Sequence, residues 1–185
     1  GISYDCIYIV ARSMNKENTD ICIEIIKLLF EKNMDKEYIN RLFSSIVNLD
    51  LYKLLLSYGA DVNFQDDFGT AALLSAAYSN NIECVKFLIE NNADIHLVHK
   101  FYGATALTIS LNIESNVVFY LLEHGANINH QNKDKNFLLI KALMKCETTF
   151  KKLLFDYNPD VDLQNEYGNS VVMTAILLKK NEMIE

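Results

Sequence analysis

Four ten-residue segments decide the fold: LLLSYGADVN at residues 54–63, FLIENNADIH at 87–96, YLLEHGANIN at 120–129 and LLFDYNPDVD at 153–162. Each segment begins 33 residues after the one before it, and all ten columns stay in phase without a gap. Self-similarity at a fixed period indicates that one supersecondary unit recurs along the chain. The sequence therefore predicts a solenoid, in which each unit packs mainly against its neighbours.

The columns indicate where a helix ends in each copy. An apolar run of helical period comes first, and Gly or Asn follows it in every copy. These residue types tolerate the positive φ that a helix C-terminal cap requires. The cap column holds Gly59, Asn92, Gly125 and Asn158. The leucine column before it holds Leu55, Leu88, Leu121 and Leu154, and we expect Leu121 to lie in the core.

A second amphipathic run lies upstream of each such helix, so the unit is helix–turn–helix. In one copy, we predict a first helix at 71–78 and a second at 82–90, with Asn80 and Asn81 between them. A glycine ends the loop that leads into the first helix at Gly69, Gly103 and Gly168. Lys135 replaces it in one copy, and we expect that loop to differ in shape.

These motifs resemble the ankyrin repeat, whose pattern runs D-x-x-G-x-T-P-L-H-x-A-A, a second helix, and then L-L-x-x-G-A-D-V-N. The ending GADVN at residues 59–63 matches throughout. The opening at residues 66–77 matches at Asp66, Gly69, Leu73, Ala76 and Ala77. The resemblance covers essentially the whole chain. It implies an all-α ankyrin-repeat solenoid with protruding, hairpin-like finger loops.

The chain also departs from this pattern, because no copy keeps T-P-L-H. The proline column reads Ala72, Ala106, Leu138 and Val171. The histidine column reads Leu74, Thr108, Ile140 and Met173. A side chain that ties first helices together in the family is therefore missing, and we expect a less stable stack. One loop gains a residue around Phe101, and the turn near residues 114–115 is one residue short.

We expect a single array over residues 1–185. Its approximate repeats are 1–35, 36–65, 66–99, 100–132, 133–165 and a truncated 166–185. Ile184 stands where an apolar helix should continue, so we expect the parent protein to extend past Glu185.

Composition narrows the functional classes. The formal net charge is −7, whereas a nucleic-acid partner generally requires a basic face. No apolar run approaches the roughly 20 residues of a membrane span. Four cysteines lie far apart in the sequence, without a C-x-x-C motif, and we expect reduced thiols. We therefore expect a cytoplasmic protein, or alternatively a nuclear one, with neither nucleic acid nor membrane as its partner.

No catalytic motif is present: the chain lacks G-x-S-x-G, a glycine-rich phosphate loop and H-E-x-x-H. We expect no enzyme activity, no catalytic residues and no cofactor. His96, His99 and His130 are the candidates for a metal site, and the alternative is that they stabilise turns or are solvated. Because His96 and His99 would point to opposite faces of an extended segment, and no further ligand column completes the set, we expect no metal.

The resemblance implies that finger tips and first helices line a groove that holds a partner. Aromatic residues are enriched as interface anchors, although they can also pack locally on neighbouring loops. The candidate partner-binding residues are Phe68, Tyr78, Phe101, Tyr102, Ile109, Asn112, Lys141, Met144 and Tyr167.

The predicted function is a monomeric protein–protein interaction module, a scaffold or adaptor. The alternative is a regulatory or substrate-recruiting region of a larger enzyme or effector, whose catalytic part lies outside these residues. The irregular repeats and the abundance of Asn, Ile, Lys and Tyr are similar to ankyrin proteins of large DNA viruses and intracellular pathogens. Members of those groups often bind host signalling or ubiquitin-ligase components.

Overall fold

The computed structural model describes residues 4–14, 17–30, 35–110 and 116–178, and this part of the chain contains helices and turns but no strand. In chain order the helices are α1 (Tyr4–Arg12), α2 (Thr19–Phe30), α3 (Lys36–Ser45), α4 (Leu49–Ser57), α5 (Ala72–Tyr78), α6 (Ile82–Glu90), α7 (Ala106–Ile109), α8 (Asn116–Glu123), α9 (Leu138–Lys145), α10 (Glu147–Tyr157) and α11 (Val171–Leu177). The all-α prediction is confirmed, and α5 and α6 fall within one residue of their predicted bounds.

The helices form two layers. Consecutive helices pair, as α1 with α2, α3 with α4, α5 with α6, α7 with α8 and α9 with α10. The first helices α3, α5 and α7 stack on one another, and α11 packs on α9. The second helices α2, α4, α6 and α8 form the other stack. The helices α3 to α8 therefore pack against their own partners and against the neighbouring unit, as in a repeat solenoid.

The core lies between these layers. Leu55, Leu88 and Leu121 are fully buried, which confirms the core prediction for Leu121. Phe43 and Tyr52 are also buried, and their ring centroids lie 4.8 Å apart.

The cap column behaves as predicted. The φ angles are 82° at Gly59, 65° at Asn92, 90° at Gly125 and 42° at Asn158, all in the left-handed region. In the first three copies, the following alanine N–H donates back to the leucine carbonyl and closes the helix end. These bonds are Ala60 to Leu55 at 3.0 Å, Ala93 to Leu88 at 2.9 Å and Ala126 to Leu121 at 2.9 Å.

The fourth copy differs because Pro159 occupies the alanine position and has no N–H to donate. Here α10 extends to Tyr157, one position further than the helix ends of the earlier copies. Leu153 is fully buried, whereas Leu154 is only partly buried. The buried position is therefore displaced by one residue from the leucine column defined by sequence.

Four finger loops connect one unit to the next. We define them as finger 1 (residues 66–70), finger 2 (99–104), finger 3 (132–136) and finger 4 (165–169). In finger 1, Asp66 N donates to Thr70 O at 3.0 Å, and Gly69 N donates to Asp66 O at 2.9 Å. Fingers 3 and 4 repeat both bonds at equivalent residues.

The prediction that Lys135 changes the shape of finger 3 is wrong. Lys135 adopts a φ of 52°, and its N–H donates to Asn132 O at 2.9 Å, as the glycine does in fingers 1 and 4. A non-glycine residue in this conformation costs about 1–2 kcal/mol. The loop therefore keeps its hydrogen bonds at the expense of local backbone strain.

The first helices are tied together despite the missing histidine. Ser75 Oγ donates to Ser44 O at 2.8 Å, at the end of α3. Lys141 Nζ donates to Ser110 O at 2.6 Å and to Thr108 O at 3.2 Å, at the end of α7. Each side chain reaches from one first helix to the last carbonyls of the preceding one. A different column therefore supplies ties between the first helices, and the lower stability expected of the stack stays a prediction.

Thr108, which stands in the histidine column, has a local role. Thr105 N donates to Thr108 Oγ1 at 2.9 Å, and Thr108 N donates to Thr105 Oγ1 at 3.4 Å. This reciprocal capping box satisfies two backbone donors at the start of the four-residue helix α7.

Candidate partner-binding groove

A carboxyl or amide oxygen shapes the tips of fingers 1 and 4. Asp66 Oδ1 accepts hydrogen bonds from Phe68 N at 2.9 Å and from Thr70 N at 2.7 Å. In finger 4, Asn165 Oδ1 accepts from Tyr167 N at 3.0 Å in the same way. Because the backbone turn is fixed at the residue that carries the aromatic ring, Phe68 and Tyr167 are held outward.

His99 performs this task in finger 2. Its Nδ1 accepts from Phe101 N at 3.3 Å and from Tyr102 N at 3.5 Å, and its ring packs on that of Tyr102 with centroids 4.8 Å apart. Of the two roles that the sequence leaves open for His99, a metal ligand or a turn-stabilising residue, the structure shows the second. The signal for it is the column, because His99 occupies the position of Asp66, Asn132 and Asn165.

Three aromatic side chains form what we call the finger cluster: Phe68, Phe101 and Tyr102. The Phe68 and Phe101 ring centroids lie 5.8 Å apart, yet the three residues are 59%, 60% and 61% exposed. The rings thus pack locally and still present most of their surface to solvent. Tyr167 is 78% exposed but lies two fingers away, beyond Asp134 of finger 3.

Backbone contacts hold the first three fingers against one another. Lys100 N donates to Phe68 O at 3.2 Å, and Lys133 N donates to Tyr102 O at 2.9 Å. The approach at Gly69 is so close that a Cβ there would lie 2.5 Å from Lys100 N. The loops that carry the finger cluster are therefore joined by backbone hydrogen bonds and are not independent of one another.

Two pockets lie beside the fingers on the first-helix layer. The upstream pocket, about 260 Å³, is lined in part by Ser75, Tyr78, His99 and Ile109. Tyr78 is exposed and Ile109 is partly buried. The structure therefore brings these two candidates together around one concavity.

The downstream pocket, about 250 Å³, contains two more of the candidates, Lys141 and Met144. Met144 is exposed, whereas the partly buried Lys141 carries the bonds to the end of α7 described above. Burial lowers the pKa of Lys141, and the nearby charge of Lys145 lowers it further. The remaining candidate, Asn112, lies outside the described residues.

The histidines considered for metal binding have other contacts. His130 Nε2 lies 2.7 Å from Gly103 O, and His99 Nδ1 accepts the two finger bonds. Among residues 4–14, 17–30, 35–110 and 116–178, no three His, Cys, Asp or Glu side chains lie close enough together to hold a metal ion. Within the same ranges, no helix has both the length and the hydrophobicity needed to span a membrane.

The comparisons with known proteins agree with this architecture. Residues 41–132, about half of the chain, match the family model for ankyrin repeats (3 copies). The chain is an ankyrin-repeat protein, and proteins of this class generally serve as protein–protein interaction modules. A comparison with curated proteins finds no match.

Proposed function

We propose that this chain binds one partner protein in the groove formed by the fingers and the first helices, with the finger cluster as the main anchor. The observation that carries the proposal is the exposure of Phe68, Phe101 and Tyr102, each about three-fifths accessible in adjacent fingers. Large aromatic residues dominate binding energy when a partner covers them.

The framework beneath the cluster supports the same proposal. Binding is weakened when loops must be ordered at the interface, and a preorganised surface avoids that cost. The hydrogen bonds from Lys100 N to Phe68 O and from Lys133 N to Tyr102 O restrain the fingers before any partner arrives. The two pockets beside them offer concave positions for side chains of the same partner.

The test is a double substitution, Phe101→Ser with Tyr102→Ser, in the full chain. A partner is first isolated by affinity capture from a host cytosol and identified by mass spectrometry. Its affinity for the double variant should then fall about thirtyfold, equivalent to about 2 kcal/mol. The thermal midpoint should change little, since surface loop substitutions usually alter stability by under about 0.5 kcal/mol.

Phe155→Ser is the matched control, because Phe155 is an exposed aromatic on the second-helix layer, 78% accessible. It should leave the affinity unchanged. A double variant that binds as tightly as the unmodified chain, or a control that weakens binding equally, would exclude the finger cluster as the anchor.

We further propose that the protein acts as a monomer in the cytoplasm or nucleus, on a host component of the signalling or ubiquitin-ligase type. Cys22, Cys84 and Cys146 are free thiols, which is consistent with a reducing compartment. Light scattering across a concentration series tests the monomer, and imaging of the tagged protein tests the location.

A further inference from the structure

Finger 3 and α9 carry unneutralised positive charge on a chain whose net charge is −7. Lys133 and Lys135 lie in the finger, and Lys141 and Lys145 lie in the helix. With the adjoining finger 4 and the first turn of α10 included, the carboxylates among the described residues here are Asp134, Glu166 and Glu147, and Glu147 pairs with Lys151 at 2.7 Å. Within the described ranges, none of the four lysines forms an ion pair. This local surface therefore has the opposite sign to the protein as a whole.

Lys141 is the member of this group that reaches into a pocket. An ammonium has three N–H donors, and two of them are directed to Ser110 O and Thr108 O. Burial and the neighbouring Lys145 both lower the pKa of Lys141, which means that its charged form lacks a compensating anion. A carboxylate placed in the downstream pocket would supply one.

The other walls of the downstream pocket suit a side chain with a polar end and an apolar stem. Asn132 and Asn136 contribute amides, and Ile140 and Met144 contribute apolar surface. The volume of about 250 Å³ lies below the roughly 300–1,000 Å³ of typical small-molecule sites. The pocket thus fits one protruding side chain better than a cofactor.

We propose that the downstream pocket binds an Asp or Glu side chain from an acidic segment of the partner, with a neighbouring apolar residue of that segment on Met144. This inference rests on the proposed function, since the pocket belongs to the same groove. A nucleic acid is disfavoured because the positive surface is confined to one pocket of an acidic protein, whereas nucleic acids engage extended basic faces.

The experiment selects binders from a random peptide library displayed on phage against the full chain. Enriched peptides should share an Asp or Glu beside an apolar residue. Fluorescence polarisation then compares one synthesised peptide with its Glu-to-Gln counterpart, which should bind about tenfold more weakly or worse. Lys141→Met should remove this difference between the two peptides.

Because Lys141→Met also removes the ties to α7, a second variant isolates the charge. Lys145→Glu changes an exposed residue and should weaken the acidic peptide several-fold while the thermal midpoint stays constant. Lys86→Glu is the matched control, since Lys86 lies over the Tyr120 ring on the second-helix layer. It should have little effect on peptide binding.

Peptides enriched without an acidic preference, or equal binding of the Glu and Gln peptides, would overturn the inference. If such peptides still lost affinity when Phe101 and Tyr102 were replaced by Ser, the proposed function would stand and only the acidic pocket would fail. Lys145-dependent binding of a labelled single-stranded oligonucleotide at physiological salt would also overturn it. A library that yields no enriched peptide counts against both proposals.

Discussion

Gly69 and Gly168 occupy equivalent finger positions. Substitutions at the two sites therefore distinguish the free-energy cost of the backbone conformation from the cost of close packing. Their φ angles are 81° and 77°, and an alanine at either site meets the same left-handed strain. Among the described residues, a new Cβ at Gly168 has no neighbour within 4 Å, whereas at Gly69 it would lie 2.5 Å from Lys100 N. Gly168→Ala is thus the control for Gly69→Ala.

The expected magnitudes follow from these contacts. The left-handed conformation of an alanine lowers the free energy of unfolding by about 1–2 kcal/mol, and the reduced entropy of the unfolded chain raises it by about 0.4–1 kcal/mol. Gly168→Ala should therefore destabilise the protein by about 1 kcal/mol. At Gly69 finger 2 must also move away, which weakens the bond from Lys100 N to Phe68 O. Losing that bond and its packing adds about 1–2 kcal/mol, for a total of about 2–3 kcal/mol.

Urea unfolding, followed by circular dichroism, gives the midpoint of each variant and of the unmodified chain. The midpoints are compared with one common value for the dependence of the unfolding free energy on urea concentration. The Gly69→Ala midpoint should fall clearly below that of Gly168→Ala. Equal midpoints would refute the reasoning, because they would mean that fingers 1 and 2 are not in close contact in solution.

Two other predictions concern stability. Lys135→Gly should stabilise the protein by about 0.5–1 kcal/mol, since glycine relieves the strain at a φ of 52° while finger 3 keeps its hydrogen bonds; a lower thermal midpoint for this variant would contradict that view. Burial, together with the negative charges of Glu83 and Asp50, raises the pKa of Cys84 from the ordinary thiol value to about 11. Because the unfolded thiol then ionises first, the contribution of Cys84 to stability is full below about pH 9 and is lost as the pH rises towards 11. The urea midpoint should therefore fall less between about pH 9 and pH 11 for Cys84→Ala than for the unmodified chain, and an identical pH dependence would rule this out.

The repeating columns made much of the fold predictable. The Gly and Asn caps could be located because only a few residue types accept positive φ, and the structure gives that conformation at Asn92 and Asn158 as well as at the glycines. The extra residue of finger 2 was also visible as a shift in the period. These features depend on the local backbone conformation, which the residue types at each position indicate directly.

What sequence missed depends on contacts between units or on unusual chemistry. The role of Lys141 could not be deduced, because the carbonyls it satisfies belong to the preceding unit. The particular contacts of His99 could not be deduced, because an imidazole nitrogen takes the place of an Asp or Asn oxygen. Pro159 removes one donor, and the displacement of the buried position to Leu153 follows only once the helix end is seen.

The finger cluster is divided between two repeat units, and this determines how the surface could be transferred to another protein. Phe68 comes from one unit, whereas Phe101 and Tyr102 come from the loop that leads into the next, and the hydrogen bond between Lys100 N and Phe68 O joins the two. Grafting a single unit onto another scaffold would separate these rings. The smallest portable segment must instead carry both fingers and the α5–α6 pair between them, so recombination of single repeats would tend to lose this surface.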